Sequence, residues 1–264
     1  MIHFVGAGPG APDLITVRGQ KLLQEADVII YAGSLVNPSL LDIKKEGCRV
    51  CNSAYMTLEE VLQVMRTAEK EGMMTVRLHT GDPCLYGAIR EQMDALRADG
   101  IDYDICPGVS AFCGAASALE LEYTLPGVSQ TVIISRTAGR TPVPEKESIS
   151  RLASHQATMV LFLSAGHLPK LQEELMAGGY PENTPASICY KATWPEEKKL
   201  YCTVGTLAET AAKEGITNTA LIIVGEIIGS CYDRSLLYDP AFTTAFRQSS
   251  SQNEEKKGPG DESL

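Results

Sequence analysis

Apolar positions in the first half of the chain alternate between two rhythms. Short continuous runs at Ile2–Val5, Asp27–Tyr31, Arg49–Asn52, Met74–His79 and Tyr103–Cys106 predict strands. Between them the spacing turns helical, first over Val17–Ala26 through Val17, Leu22, Leu23 and Ala26. Thr57-Leu58-Glu59-Glu60 forms a capping box ahead of apolar Val61, Leu62 and Met65, and so predicts a helix start. Leu85–Ala98 and the small-residue stretch Ser110–Leu119 complete the helices. This alternation predicts a mostly parallel sheet with helices on both faces.

Past "TLPGVSQ", Thr124–Gln130, the pattern changes. Strands are expected at Thr131–Ser135, Met159–Leu163, Ser187–Tyr190, Tyr201–Val204 and Ala220–Ile228, with helices at Lys170–Met176 and Ala208–Glu214. The charged hairpin "WPEEKK" between two of these strands implies antiparallel pairing and a mixed sheet. The expected organisation is an N-terminal α/β domain, residues 1–123, and a C-terminal one, residues 124–240. Residues 247–264 are polar, without apolar periodicity, and are expected to be disordered.

The opening glycines, Gly6-Ala7-Gly8-Pro9-Gly10, resemble a dinucleotide-binding loop. The chemistry argues otherwise. Pro9 removes an amide that would face a pyrophosphate. Ala11-Pro12-Asp13 delays the helix, and Asp27 begins the second strand where an acid is needed at its end. A lone glycine turn is bland, but "TGDP" at Thr80–Pro83 and "PGVSA" at Pro107–Ala111 end two further strands. In a parallel sheet all three fall on the carboxyl edge, where ligand clefts form.

A net charge of −10 argues against a general nucleic-acid binder, which needs a basic face. No apolar run approaches the ~20 residues that span a bilayer, and no leader is apparent, so a cytoplasmic protein is expected. Eight scattered cysteines read as reduced thiols. The lone Cys48-Arg-Val-Cys51 lacks the second ligand pair a structural zinc requires, and His3, His79, His155 and His167 show no ligand pattern. No metal site is expected. His79 is read as a packing residue beside the second turn.

Taken in order, "VGAGPGxxxLIT", "LHTGDPCLYG", "PGVSA" and "TNTALIIVGEII" resemble the tetrapyrrole methylases, S-adenosylmethionine-dependent enzymes of corrin and sirohaem synthesis. The resemblance covers Met1 to about Gly229. "YAGSLV", "GDPCLYGAIREQMDAL" and "SQTVIISRTAGRTPVPE" resemble the branch that methylates precorrin-4 or cobalt-precorrin-4 at C(11). Sirohaem-branch members usually carry an aspartate after the strand tyrosine; Ala32 stands there, which puts an aspartate proton acceptor at that position in doubt.

The resemblance implies two α/β domains with S-adenosylmethionine between them. Carried over position by position, the cofactor contacts are Pro9, Thr80, Gly81, Asp82, Leu85, Ser110, Ala111, Leu163, Ala192, Thr219 and Ala220. A turn aspartate before proline is the plainer reading of Asp82. The implied corrin-precursor substrate carries many carboxylates, which arginine grips with paired hydrogen bonds. Arg136 and Arg140, in a Gly/Pro-rich loop, are the expected clamp, with Tyr86 a further substrate contact and Arg18, Arg90 and Lys191 lesser candidates. A homodimer is implied as well. Methyl transfer needs no nucleophile–base pair, and the sequence identifies no catalytic residue. Rival readings are a methylase acting at another ring carbon, a nicotinamide oxidoreductase and a non-catalytic small-molecule regulator.

Overall fold

A computed structural model describes residues 1–229 and 231–249. The first half runs β1 (Ile2–Gly6), α1 (Val17–Glu25), β2 (Val28–Tyr31), β3 (Arg49–Asn52), α2 (Leu58–Lys70), β4 (Thr75–His79), α3 (Arg90–Ala98), β5 (Tyr103–Cys106) and α4 (Ala111–Leu119). The second runs β6 (Val132–Arg136), α5 (Ile149–Ala153), β7 (Thr158–Phe162), α6 (Leu168–Ala177), β8 (Pro185–Tyr190), β9 (Lys198–Thr203), α7 (Leu207–Lys213) and β10 (Ala220–Val224).

The first sheet is parallel throughout, in the order β3-β2-β4-β1-β5. Alternate strand residues face opposite ways. Val5, Ile29, Val76 and Leu78 meet Leu23 and Ala26 on one side. Ile2, Phe4, Val28 and Ile30 meet Val61, Leu62, Met65, Ala68 and Leu96 on the other. Helices therefore cover both faces, as the strand–helix rhythm requires. The Thr57 capping box is present in full.

The second sheet, β6-β7-β10-β8-β9, is mixed: β6 and β7 are parallel and the other pairs antiparallel. One face buries Met159, Leu161, Ile188 and Ile222 under α5, α6 and α7. The other buries Val160, Leu221 and Ile223 against Ala115 and Leu119 of α4. A helix that follows the first sheet in sequence thus packs on the second.

Some elements differ from expectation. Helix α3 begins at Arg90, not Leu85, because Tyr86 and Ala88 take positive φ values of 56° and 49° and break the helical path. Strand β10 stops at Val224, where Gly225 turns at φ 139°. Of the tail expected to be disordered, residues 250–264 lie outside the described residues. At its start, the Arg247 guanidinium donates to the carbonyls of Leu237 (3.1 Å), Asp239 (2.6 Å) and Phe242 (3.4 Å).

The three glycine turns meet backbone to backbone. A Cβ on Gly6 would lie 2.6 Å from both Gly108 Cα and Gly81 O, and one on Gly108 would lie 2.7 Å from Gly6 Cα. Gly8 and Gly81 exchange hydrogen bonds of 3.2 and 2.8 Å. We expect Gly6→Ala to lose about 3 kcal/mol, since backbone cannot retreat from the new methyl. Gly47→Ala, with φ +78° but open space, should lose only about 1 kcal/mol. Urea denaturation of the two variants measures the contrast.

His79 is buried against Phe4, with ring centroids 6.2 Å apart, and its Nε2 has no partner. Burial, then the neighbouring Arg77 charge, hold its pKa down to about 3. The native imidazole stays neutral while the unfolded one protonates below its ordinary pKa of about 6.5. Stability is therefore lost as pH falls from the ordinary histidine range towards 3. We expect His79→Phe to remove this part of the acid sensitivity, worth up to about 3 kcal/mol at pH ~4, as read from denaturation curves at pH ~7 and ~4.

Candidate functional site

The turns form one wall of a cavity of 530 Å³ between the two sheets. That lies within the range of about 300–1,000 Å³ common for small-ligand pockets. All eleven residues expected to touch a cofactor line it: Pro9, Thr80, Gly81, Asp82, Leu85, Ser110 and Ala111 from the first half, and Leu163, Ala192, Thr219 and Ala220 from the second. Tyr86 lines it too. Arg136 and Arg140 do not.

Each turn is held by specific contacts. Pro9 rests on α4 at Gly114, where a Cβ would lie 2.6 Å from the proline ring. The Pro9 carbonyl accepts from Trp194 Nε1 (3.2 Å), and the Ala11 amide donates to Thr193 Oγ1 (2.9 Å), so the first turn is tied to the second half. The Thr80 hydroxyl donates to the Leu35 carbonyl. Asp82 accepts from the Cys84 amide through Oδ1 and the Gly108 amide through Oδ2, both at 2.8 Å. It is thus a turn aspartate, as the plainer reading has it, and it also staples the second turn to the third. Partial burial raises its pKa, but the hydrogen bonds from Cys84 and Gly108 outweigh that, and the net shift is downward.

The far wall is strained. Leu163, Lys191 and Thr219 line the cavity at positive φ values of 51°, 47° and 51°, as Tyr86 does opposite. Such geometry costs a β-branched threonine most. It persists where surroundings over-determine it, commonly at functional sites. Here the Lys191 amide donates to the Thr219 carbonyl (2.9 Å), and the Lys191 ammonium lies 3.7 Å from a Glu196 oxygen and 5.3 Å from the Trp194 ring centroid. Leu163 is 64% exposed, a large apolar side chain left facing the open cleft.

The cavity has apolar walls suited to a flat ring: Leu85, Ala111, Phe162, Ala192 and Leu221. Its polar groups include Asp82, Ser110, Asn218 and Thr219. Helix α4 opens on it without a side-chain cap from Ser110. The donor and acceptor set fits a nucleoside bearing hydroxyls and an amine: an anionic acceptor at Asp82, hydroxyls nearby and an apolar slot. Burial holds the Cys189 thiol up at about 12 and raises the Tyr86 phenol.

Arg136 turns onto its own loop, donating to the carbonyls of Thr141 (3.3 Å) and Pro142 (2.8 Å). Arg140 is exposed, in a loop whose Gly139 abuts cavity-lining His167. Sequence reasoning did not single out Leu35, Phe162, Gly166, Trp194, Thr217 or Asn218. Thr217 and Asn218 immediately precede a chosen residue, and Trp194 is the chain's single tryptophan, a usable signal.

Replacing Asp82 by Asn keeps one acceptor and sets an NH₂ against an amide donor. We expect Asp82→Asn to lose about 1.5–3 kcal/mol at neutral pH. Because the native carboxyl is held low, the parent's advantage is present above the ordinary carboxylate pKa and is lost as pH falls through the native value. Denaturation midpoints of parent and variant should therefore converge in acid.

The model of the tetrapyrrole (corrin/porphyrin) methylases matches residues 1–208. A cobalt-precorrin-4 C(11)-methyltransferase from Methanocaldococcus jannaschii is 53% identical over 249 residues, covering 94% of this chain and 96% of that one. The crystal structure of a cobalt precorrin-4 methyltransferase, a cobalamin biosynthetic enzyme, superposes with a TM-score of 0.85 at 47% identity, covering 87% of this chain and 96% of that one. A uroporphyrin-III C-methyl transferase from Thermus thermophilus, complexed with S-adenosylhomocysteine, gives a TM-score of 0.71 at 26% identity, covering 86% and 93%. The chain belongs to the tetrapyrrole methylases.

Proposed function

We propose that this protein transfers a methyl group from S-adenosylmethionine to C(11) of precorrin-4 or its cobalt complex, in corrin-ring synthesis. The observation that carries the reading is the cleft itself: every residue expected to touch the cofactor from the motif order lines one cavity, in a chain 53% identical to a C(11)-methyltransferase. Identity to a cobalt-precorrin-4 enzyme is 53%, against 44% to a precorrin-4 enzyme, which favours the cobalt form.

The cofactor supplies an electrophilic methyl on a sulfonium that departs as a neutral thioether. The chain's task is to align and enclose. Asp82 would accept hydroxyl or amine hydrogen bonds on its free lone pairs, and Leu85, Ala111, Leu163, Ala192, Thr219 and Ala220, which line the same cavity, would enclose the cofactor. Pro9, in the first turn, would stand near the cofactor. Orientation alone contributes about 7–11 kcal/mol in favourable cases. No acid is needed for a neutral leaving group, so the reaction needs no nucleophile–base pair. Arg140, on the loop beside His167, is the carboxylate contact, and Arg136 shapes that loop through its own carbonyls.

Among the described residues no helix is long and apolar enough to cross a membrane. We infer a cytoplasmic homodimer; exposed Tyr232, Leu236, Leu237, Tyr238 and Phe246 supply apolar surface for a second copy.

Incubation with methyl-labelled S-adenosylmethionine and either tetrapyrrole should place one label at C(11), read by mass and NMR. Folded protein that leaves both substrates unmethylated would sink the reading. Leu163→Trp, which fills the cleft from an exposed position, should weaken S-adenosylhomocysteine binding by about tenfold or more without changing the fold.

A further inference from the structure

Strand β4 carries Thr75, Arg77 and His79 on the side covered by α2 and α3, in a layer otherwise built from Ile2, Phe4, Val28, Ile30 and Leu96. Arg77 is 7% exposed, and among the described residues no carboxylate pairs with it. Its Nη1 donates to the Ile30 carbonyl and its Nε to Gln92 Oε1, both at 3.2 Å. Gln92, equally buried, donates through Nε2 to the Ala88 carbonyl at 2.9 Å. This chain ends in the segment with two left-handed residues, Tyr86 and Ala88. Tyr86 crosses the cleft to Phe162 of the second sheet, with ring centroids 5.5 Å apart.

Burying a guanidinium without a counter-charge opposes folding, and an apolar pair of similar volume fills such a layer at least as well. What the polar pair supplies is geometry: a fixed donor under a carbonyl that the strained segment would otherwise leave unheld. We propose that Arg77 and Gln92 are positioning residues for the methyl transfer, holding Pro83–Ile89 so that Tyr86 stands against Phe162 and sets the width of the cleft mouth. The effect on turnover rests on the function proposed above; the effect on Tyr86 does not.

Three variants separate the pair from its surroundings. Arg77→Met/Gln92→Leu removes the polar chain while conserving volume. Gln92→Glu keeps a partner for Arg77 but cannot donate to Ala88. Leu96→Ala damages the same layer on α3 without touching the rim. In ligand-free protein with labelled tyrosine and phenylalanine rings, the nuclear Overhauser contact between Tyr86 and Phe162 should persist in the parent and Leu96→Ala, and be lost in the other two. The KM for the tetrapyrrole should rise about tenfold to a hundredfold in those two, while Leu96→Ala lowers the melting temperature and leaves KM within about twofold. The proposal is overturned if folded Gln92→Glu keeps both the ring contact and the parent KM, or if Leu96→Ala raises KM as far. It is equally overturned if both rim variants fail to fold where Leu96→Ala folds, because the pair is then core structure. A parent that transfers no methyl would remove the proposed function, and the ring contact would still decide this assignment.

Discussion

Everything about the cleft depends on three backbones touching where no side chain intervenes. Gly6, Gly81 and Gly108 stand at the ends of three neighbouring strands of the first sheet, and the approach of Gly6 and Gly108 to this backbone leaves neither room for a methyl. Once joined, the turns are cross-tied by the Gly8–Gly81 bonds and by Asp82 reaching Gly108. Pro9 is then presented to Gly114, and α4 carries Ala115 and Leu119 onto the second sheet. A contact between strand ends therefore propagates, through one helix, to the relative placement of two sheets.

The opposite wall is held differently. Leu163, Lys191 and Thr219 occupy backbone conformations that cost roughly 1–3 kcal/mol each, and a backbone hydrogen bond ties Lys191 to Thr219. The first wall needs glycine where its three turns meet; the second is strained at three positions and uses ordinary side chains where glycine would be easier. The difference has a physical use. Leucine, lysine and threonine at left-handed positions direct side chains into space that regular strands and helices do not reach.

Much of this was legible in the sequence, because it is local. Strand cores, the Thr57 cap and the glycine turns announce themselves through periodicity and residue type, and the motif order brought eleven residues to one cavity. The departures come from contacts and backbone turns that apolar periodicity does not report. Nothing in Leu85–Ile89 forbids a helix; the Gln92 bond to Ala88 and the ring contact with Phe162 favour the other path. The apolar run past Val224 looks like continuing strand until Gly225 turns it. The placement of α4 on the second sheet depends on Gly114 receiving Pro9, which no window of one helix contains. Composition likewise does not reveal that Arg136 donates to the carbonyls of Thr141 and Pro142 in its own loop.

Trp194 stands at the seam, its indole N–H on the Pro9 carbonyl and its face beside the Lys191 ammonium. It is the only tryptophan in the chain. The ultraviolet emission of the whole protein therefore comes largely from one ring that borders the cavity and belongs to both of its walls. The molecule carries its own optical probe, placed where the halves join and sensitive to the polarity and charge around that junction. Events in the cleft can be followed in real time on the unmodified chain, with no label to disturb the packing that defines it.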